Sequence, residues 1–328
     1  MATLQPDVGL RTSGTRGPKH KSLWQNIVAH RWSYFFIFPM LLLTITFSWY
    51  PLFASIRYAF YNWTGFGEPS QFVGFRHFTD VATDPYFWQA FRNTVVYTII
   101  QVPIQLFLAL VLALVLNNRA LRLAGIYRAI FFIPVVCSIA VLAVPLRLMF
   151  TLASSSMPRW LVNAGLFNPS LGFLGDPTWA MGSVISVGIW QTFGYNLVFF
   201  LAALQSVPQE LYEAATVDGA GRWEKFRYIT IPLIQPVGII IVFLALLGSM
   251  RVFELVLVLT NGGPYFATEV VSTYIYKFAF SPPQTSIKPN LGYASAASMF
   301  MSILLLGLTA LQVWSISKAR SRRRDLGL

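Results

Sequence analysis

The chain has 328 residues, of which 55% are apolar and 11% charged, with a formal charge of +12 and one cysteine. A water-soluble globular domain carries about a quarter charged residues, so most of this surface must be solvated by lipid. The basic residues are split among the ends and short loops, which argues against a nucleic-acid-binding face, and the lone Cys137 excludes an internal disulfide.

Residues 1–30 read as a basic tail, and the Gly, Thr and Pro of its first part predict cytoplasmic disorder. Six runs then follow that are long enough for a hydrocarbon core, which needs roughly 20 helical residues. They are Tyr34–Ile56, Thr94–Leu116, Ala129–Phe150, Ser183–Gln205, Pro236–Leu259 and Tyr293–Ser315. The runs are continuous rather than alternating, so helices that satisfy their own backbone bonds are expected, not a barrel. The first exceeds a signal-peptide core and no small-x-small cleavage site follows it.

Between the spans, the connection from Arg57 to Phe91 is aromatic and rich in turn formers, and it is expected to fold over the outer face with those around Met157–Asp176 and Gly262–Leu291. Sixteen of the 24 basic residues fall on the other side of a six-span arrangement. They are Arg11, Arg16, Lys19, Lys21 and Arg31, then Arg119, Arg122 and Arg128, then Arg222, Lys225 and Arg227, and finally Lys318, Arg320, Arg322, Arg323 and Arg324. This bias predicts cytoplasmic termini and a cytoplasmic segment around Glu213.

Inside the spans, polar residues are few. Cys137 in the third is expected to pack as a small apolar side chain. Gln191, Tyr195 and Asn196 lie mid-span in the fourth, with Gln191 and Tyr195 on one helical face and Trp190 and Phe193 beside them. Two readings fit these residues: hydrogen bonding between helices, or the lining of a substrate path. Arg251 and Glu254 in the fifth span sit at i, i+3, and an ion pair between them is expected because an unpaired charge in lipid is costly.

The segment between the fourth and fifth spans is the most informative. Ser206-Val-Pro-Gln209 has capping-box spacing, and Leu211, Ala214, Ala215 and Asp218 then share a helical face. Gly219 is placed to end that helix. A second amphipathic turn carries Trp223, Phe226 and Thr230 on one side, until Pro232 is expected to stop it. By physics alone this is either a handle for a partner protein or a helix pair lying on lipid headgroups.

Glu213-Ala214-Ala215, Gly219, Ile229 and Pro232 resemble the EAA loop of permease subunits of binding-protein-dependent ABC importers, with Ile231 where that family prefers Leu. Pro208, Glu210, Leu211, Asp218, Gly219 and Ala220 match its carbohydrate-uptake version, similar to maltose and glycerol-phosphate permeases. Phe72-Val73-Gly74-Phe75, Asn93-Thr94, Tyr127-Arg128, Phe131-Phe132-Ile133-Pro134, Leu259-Thr260, Gly262-Gly263-Pro264 and Gly292 to Ala296 extend the resemblance over most of the chain.

The resemblance implies an all-α polytopic fold, with a basic tail over 1–30, a transmembrane permease domain over 31–317 and a second tail over 318–328. It implies a cytoplasmic two-helix coupling loop over 206–235, where Glu213, Ala214, Ala215, Asp218, Gly219, Phe226 and Pro232 meet a partner ATPase. Gln191, Tyr195, Asn196, Arg251 and Glu254 would belong to the path of a sugar or polyol phosphate. The implied partners are a second permease, an ATP-binding cassette ATPase dimer that holds ATP and Mg, an extracytoplasmic solute-binding protein and membrane lipid.

The expected localisation is the prokaryotic inner membrane. No Gly-x-x-x-x-Gly-Lys-Ser/Thr loop and no His-Glu-x-x-His motif occurs, and His20, His30 and His77 are scattered, so the chain is expected to be non-catalytic, without metal or cofactor of its own. Two other classes are a stand-alone secondary transporter or channel subunit and a membrane enzyme. The first would place mid-membrane acids as ion sites, and the second a nucleophile-base or metal constellation.

Overall fold

The computed structural model describes residues 31–69, 71–118, 121–165, 167–280 and 287–325. The expected tail 1–30, with its basic residues, His20 and His30, lies outside the described residues, as does Arg119. By contacts the chain divides into two units, Met1–Ala54 and Ser55–Leu328. The first holds α1 (Arg31–Thr44), a π turn (Ile45–Trp49) and the start of α2 (Tyr50–Tyr58), with no buried residue in any of them. A helix apolar on every side is a membrane span rather than a surface helix.

In the second unit β1 (Tyr61–Asn62) and β2 (Gln71–Phe72) form an antiparallel hairpin, followed by α3 (Arg76–Thr83) and α4 (Pro85–Leu116). Asp84 caps α4 by accepting from the Tyr86 amide at 2.9 Å, and Pro85 at the first position forfeits no helical bond. Next come α5 (Ala124–Val136), α6 (Ile139–Ser155), α7 (Arg159–Asn163), α8 (Gly172–Gly175) and α9 (Pro177–Gln205). The remainder is α10 (Gln209–Val217), α11 (Arg222–Lys225), a π turn (Phe226–Thr230), α12 (Ile231–Met250), α13 (Glu254–Leu259), α14 (Val271–Phe280) and α15 (Leu291–Asp325).

Among the described residues five helical stretches are long and apolar enough to cross a membrane, and the bent pair α5 and α6, taken as one span, makes a sixth. The third span, expected to run unbroken from Ala129 to Phe150, is bent by 99° at its break. Cys137 and Ser138 are both extended there, with ψ 131°. Pro134 removes a helical bond just before this point, and Cys137 therefore lies in the break rather than within a packed helix.

The bent pair still runs from one end of the bundle to the other. Helices α4 and α9 are parallel, since Tyr97 meets Gly188, Gln101 meets Thr192, and Ala109 and Ala113 share a core with Leu197, Leu201 and Leu204. Arg128 of α5 donates to the Leu116 carbonyl at the end of α4 at 3.0 Å, whereas Ser154 of α6 accepts from the Phe173 amide, near the start of α9, at 3.1 Å. Arg122, Arg128, Arg222, Lys225 and Arg227 consequently belong to connections at one end, and the hairpin lies at the other.

The hairpin end is tied by polar contacts that the sequence reading passed over. Asp84 Oδ2 accepts from the Tyr293 hydroxyl at 2.7 Å and from the Tyr274 hydroxyl. Asn93 Nδ2 donates to the carbonyls of Phe266 and Glu269, each at 2.9 Å. Gly292 lies so close to the Tyr61 carbonyl that any Cβ would overlap it. Tyr274 and Tyr293 are buried, with their hydroxyls 3.0 Å apart, so Asp84→Ala should leave one of the two hydroxyls without an acceptor, remove the cap on the Tyr86 amide and cost about 2–4 kcal/mol. A fall in the melting temperature of the detergent-solubilised chain, recovered in part by Asp84→Asn, checks this.

Candidate functional site

The expected capping box at Ser206 and Gln209 does not form. Ser206 still belongs to the last turn of α9, where its hydroxyl donates to the Ala203 carbonyl at 2.7 Å, and Pro208 occupies the N-cap of α10. The residue before a proline avoids helical backbone, so α10 starts only at Gln209, whose side-chain amide donates to Glu213 Oε1 at 2.7 Å. Of the expected face, Ala215 is half-buried, while Leu211, Ala214 and Asp218 are exposed with Glu213; Tyr212 is the residue that turns inward.

Gly219 ends α10 as expected. Its φ is +81°, its amide donates to the Thr216 carbonyl at 3.1 Å, and the Ala220 amide donates to the Ala215 carbonyl at 2.8 Å. This pair of bonds is the Schellman motif, and it needs a residue tolerant of positive φ. The Gly221 amide then donates to Glu224 Oε2 at 2.6 Å, which starts α11. Two ties clamp the halves together: Tyr212 Oη with Thr230 Oγ1 at 2.9 Å, and Lys225 Nζ to Thr216 Oγ1 at 2.7 Å.

Pro232 does not stop the second helix. The Ile231 amide donates to the Phe226 carbonyl in a π turn, so α11 runs on into α12 and the whole stretch Arg222–Met250 is one span-length helix. The wider turn makes room for a ring that would otherwise meet the carbonyl four residues earlier. Pro51 follows the π turn of the first unit at the same distance. Phe226 is half-buried with its ring 5.5 Å from that of Trp223, and Glu213, Ala214, Asp218, Gly219, Trp223 and Pro232 are exposed.

The second feature is a cavity of about 810 Å³ between α4, α9, α12 and α13. It is lined by all five residues expected in a substrate path: Gln191, Tyr195, Asn196, Arg251 and Glu254. Sequence reasoning missed a further polar set that lines the same cavity. Gln101 donates to Thr192 Oγ1 at 3.0 Å and to Gln105 Oε1 at 3.3 Å, Ser249 donates to Gln101 Oε1 at 2.5 Å, and Thr192 donates to Gln105. Gln101 and Gln105, polar at i, i+4 in an apolar run, were the signal that could have found it. Phe193 turns away to pack on Phe131, and Trp190 does not line the cavity; Tyr97, Phe199 and Phe253 supply its other aromatic walls.

The expected Arg251–Glu254 ion pair is absent among the described residues. The fifth span breaks between them: α12 ends at Met250 and α13 begins at Glu254, so i, i+3 no longer means one helical face. Both side chains are exposed to the cavity, and Glu254 Oε1 accepts from Ser138 Oγ at 3.4 Å. Removing Arg251 should therefore not rescue Glu254→Ala: the double alanine variant is expected to take up substrate no faster than the slower of the two single variants. A double-mutant cycle on transport rate checks this.

A family model described as "Binding-protein-dependent transport system inner membrane component" matches residues 86–321. A probable ABC transporter permease protein YurN of Bacillus subtilis is 35% identical over 281 residues, covering 85% of this chain and 94% of that one. The lactose transport system permease protein LacF of Rhizobium radiobacter is 34% identical over 290 residues, covering 88% and 94%. Among solved structures, a bacterial alginate ABC transporter in complex with an alginate pentasaccharide-bound periplasmic protein superposes with a TM-score of 0.71 at 25% identity, covering 93% of this chain and 98% of that one.

Proposed function

The chain belongs to the family of binding-protein-dependent transport system inner membrane components, and on that premise we propose that its cavity is the translocation site for a sugar, driven by a separate ATPase. It is a multi-pass permease subunit of an ABC importer. The substrate class proposed is an oligosaccharide or related polyol phosphate, in keeping with the lactose permease among its relatives and the alginate transporter among its structural neighbours. The observation that carries the reading is the convergence of Gln191, Tyr195, Asn196, Arg251 and Glu254 on one cavity. Amides, a guanidinium and a carboxylate bond to hydroxyls, and an aromatic face such as Tyr195 packs on a sugar ring.

Glu213, Ala214, Ala215, Asp218 and Gly219 form the surface offered to the ATPase, and Phe226 and Pro232 join that surface to α12. The connections that carry the basic residues are cytoplasmic, as are both termini, because positive residues are retained on that side. The other partners are a second, related permease, an extracytoplasmic solute-binding protein and lipid. ATP and Mg belong to the ATPase, and this chain hydrolyses nothing by itself.

Reconstitution of the four components in vesicles with a panel of labelled sugars tests the reading. Gln191→Leu is expected to raise the KM for uptake about tenfold while the ATPase still co-purifies, the size of one lost hydrogen bond. Uptake by the chain alone in an ion gradient would instead establish a stand-alone carrier.

A further inference from the structure

Two helices of the bundle are broken, and the breaks meet. One lies at Cys137 and Ser138 between α5 and α6, the other at Arg251 to Phe253 between α12 and α13. Ser138, the residue before α6, donates to Glu254, the first residue of α13, at 3.4 Å. Val135, Ile139 and the stretch Arg251 to Leu255 edge the same cavity. No proline marks the second break, so its position depends on what holds α13, a helix of only six residues, in place.

Arg147 holds it. From the middle of α6 its Nε donates to the Leu259 carbonyl at 3.1 Å and its Nη2 to the Val258 carbonyl. Those are the last two residues of α13, where a helix leaves carbonyls without internal partners and where a cation is favoured by the helix dipole. The planar guanidinium meets the two from separate nitrogens in a fixed fork, whereas an ammonium is a single point charge on a flexible stem. Beneath this tie, Ile139 of α6 and Leu255, Val256 and Leu259 of α13 share one apolar core, with Leu142, Leu146 and Phe150 packed against it.

We propose that Arg147 is a positioning residue: it fastens α13 to α6 so that the two half-helices behave as one body, and thereby sets where Arg251 and Glu254 stand in the cavity. Arg147 touches no part of the cavity itself and acts only through α13. The consequence for transport rests on the permease reading given above; the positioning does not.

The test uses the full chain with Cys137 replaced by alanine and a single reporter thiol. Val252→Cys places the reporter in the α12/α13 break, and Gln191→Cys places it in the same cavity on unbroken α9. Reaction with a water-soluble maleimide is timed with and without Arg147→Ala. The expected result is a labelling rate at position 252 raised at least about tenfold and a rate at position 191 changed less than about twofold. Equal acceleration at both sites, the result of general loosening, overturns the proposal, and so does no change at position 252. Arg147→Lys, which keeps the cation but reaches fewer carbonyls, is expected to fall between the two, and a value equal to Arg147→Ala overturns the argument from paired carbonyls. The labelling needs no transport, so its failure is distinct from failure of the permease reading, which the uptake assay decides.

Discussion

Gly219→Pro should abolish substrate-stimulated uptake in the assembled complex, by about a hundredfold or more, while the spans still insert. The Gly219 φ of +81° is out of reach for a ring that fixes φ near −65°, and the substitution also deletes the amide that bonds to the Thr216 carbonyl. A loss of about 3 kcal/mol at that turn corresponds to about two orders of magnitude in any step that requires it. The spans are unaffected because the turn packs against nothing: a Cβ at Gly219 would meet no atom within 4 Å. Vesicle uptake and ATPase pull-down are measured together. Glu213→Lys is expected to lose both, since Glu213 is exposed and its only bond among the described residues is with Gln209. If the two-helix segment merely rested on lipid, Glu213→Lys would be neutral or favourable beside anionic headgroups, and full coupled transport in both variants would remove the coupling role.

Lys277→Met should be the most damaging substitution at the hairpin end, with a cost of about 3–5 kcal/mol and loss of most folded protein. Lys277 Nζ donates to Glu269 Oε2 at 2.5 Å and to the Asn261 carbonyl at 2.9 Å, and Glu269 is buried beneath the loop that follows α13. Burial pushes the Glu269 carboxyl above its ordinary value, and the Lys277 hydrogen bond and charge pull it back. Without the lysine the upward push of burial, the largest cause, is opposed only by the Thr273 hydrogen bond. A carboxyl raised in the folded state favours folding while protonated, and that contribution is lost as pH rises from the ordinary carboxylate range through the raised value. The variant should therefore be more stable near about pH 5.5 than near about pH 8, as measured by melting in detergent. Lys277→Met with Glu269→Leu should recover most of the loss, because no charge is then buried alone.

Much of the segment between the fourth and fifth spans was legible because its signals are local. A glycine at a helix end needs positive φ whatever surrounds it, and Gly219 took the expected conformation with both Schellman bonds. The capping box at Ser206 failed for an equally local reason: the residue before a proline avoids helical backbone, so Pro208 takes the N-cap of α10 and Ser206 remains with α9. Pro232 was misread as a stop because a π turn can carry a helix past a proline, and nothing in the residue types distinguishes a relieved proline from a terminating one.

The sequence by itself determined that this is a membrane bundle, roughly where its spans lie, and where the helical segment before the fifth span turns at Gly219. These follow from hydropathy, charge bias and turn chemistry, each of which acts over a few consecutive residues. Only the tertiary structure decided that the third and fifth expected spans are broken, that Arg251 and Glu254 form no ion pair, and that Gln101, Gln105, Thr192 and Ser249 form a network in the cavity wall beside Gln191, Tyr195 and Asn196. The reason is that a helix break inside a membrane survives where other helices supply the missing backbone partners, as Arg147 does for the carbonyls of Val258 and Leu259. Those partners lie more than a hundred residues away along the chain, where no local pattern reaches.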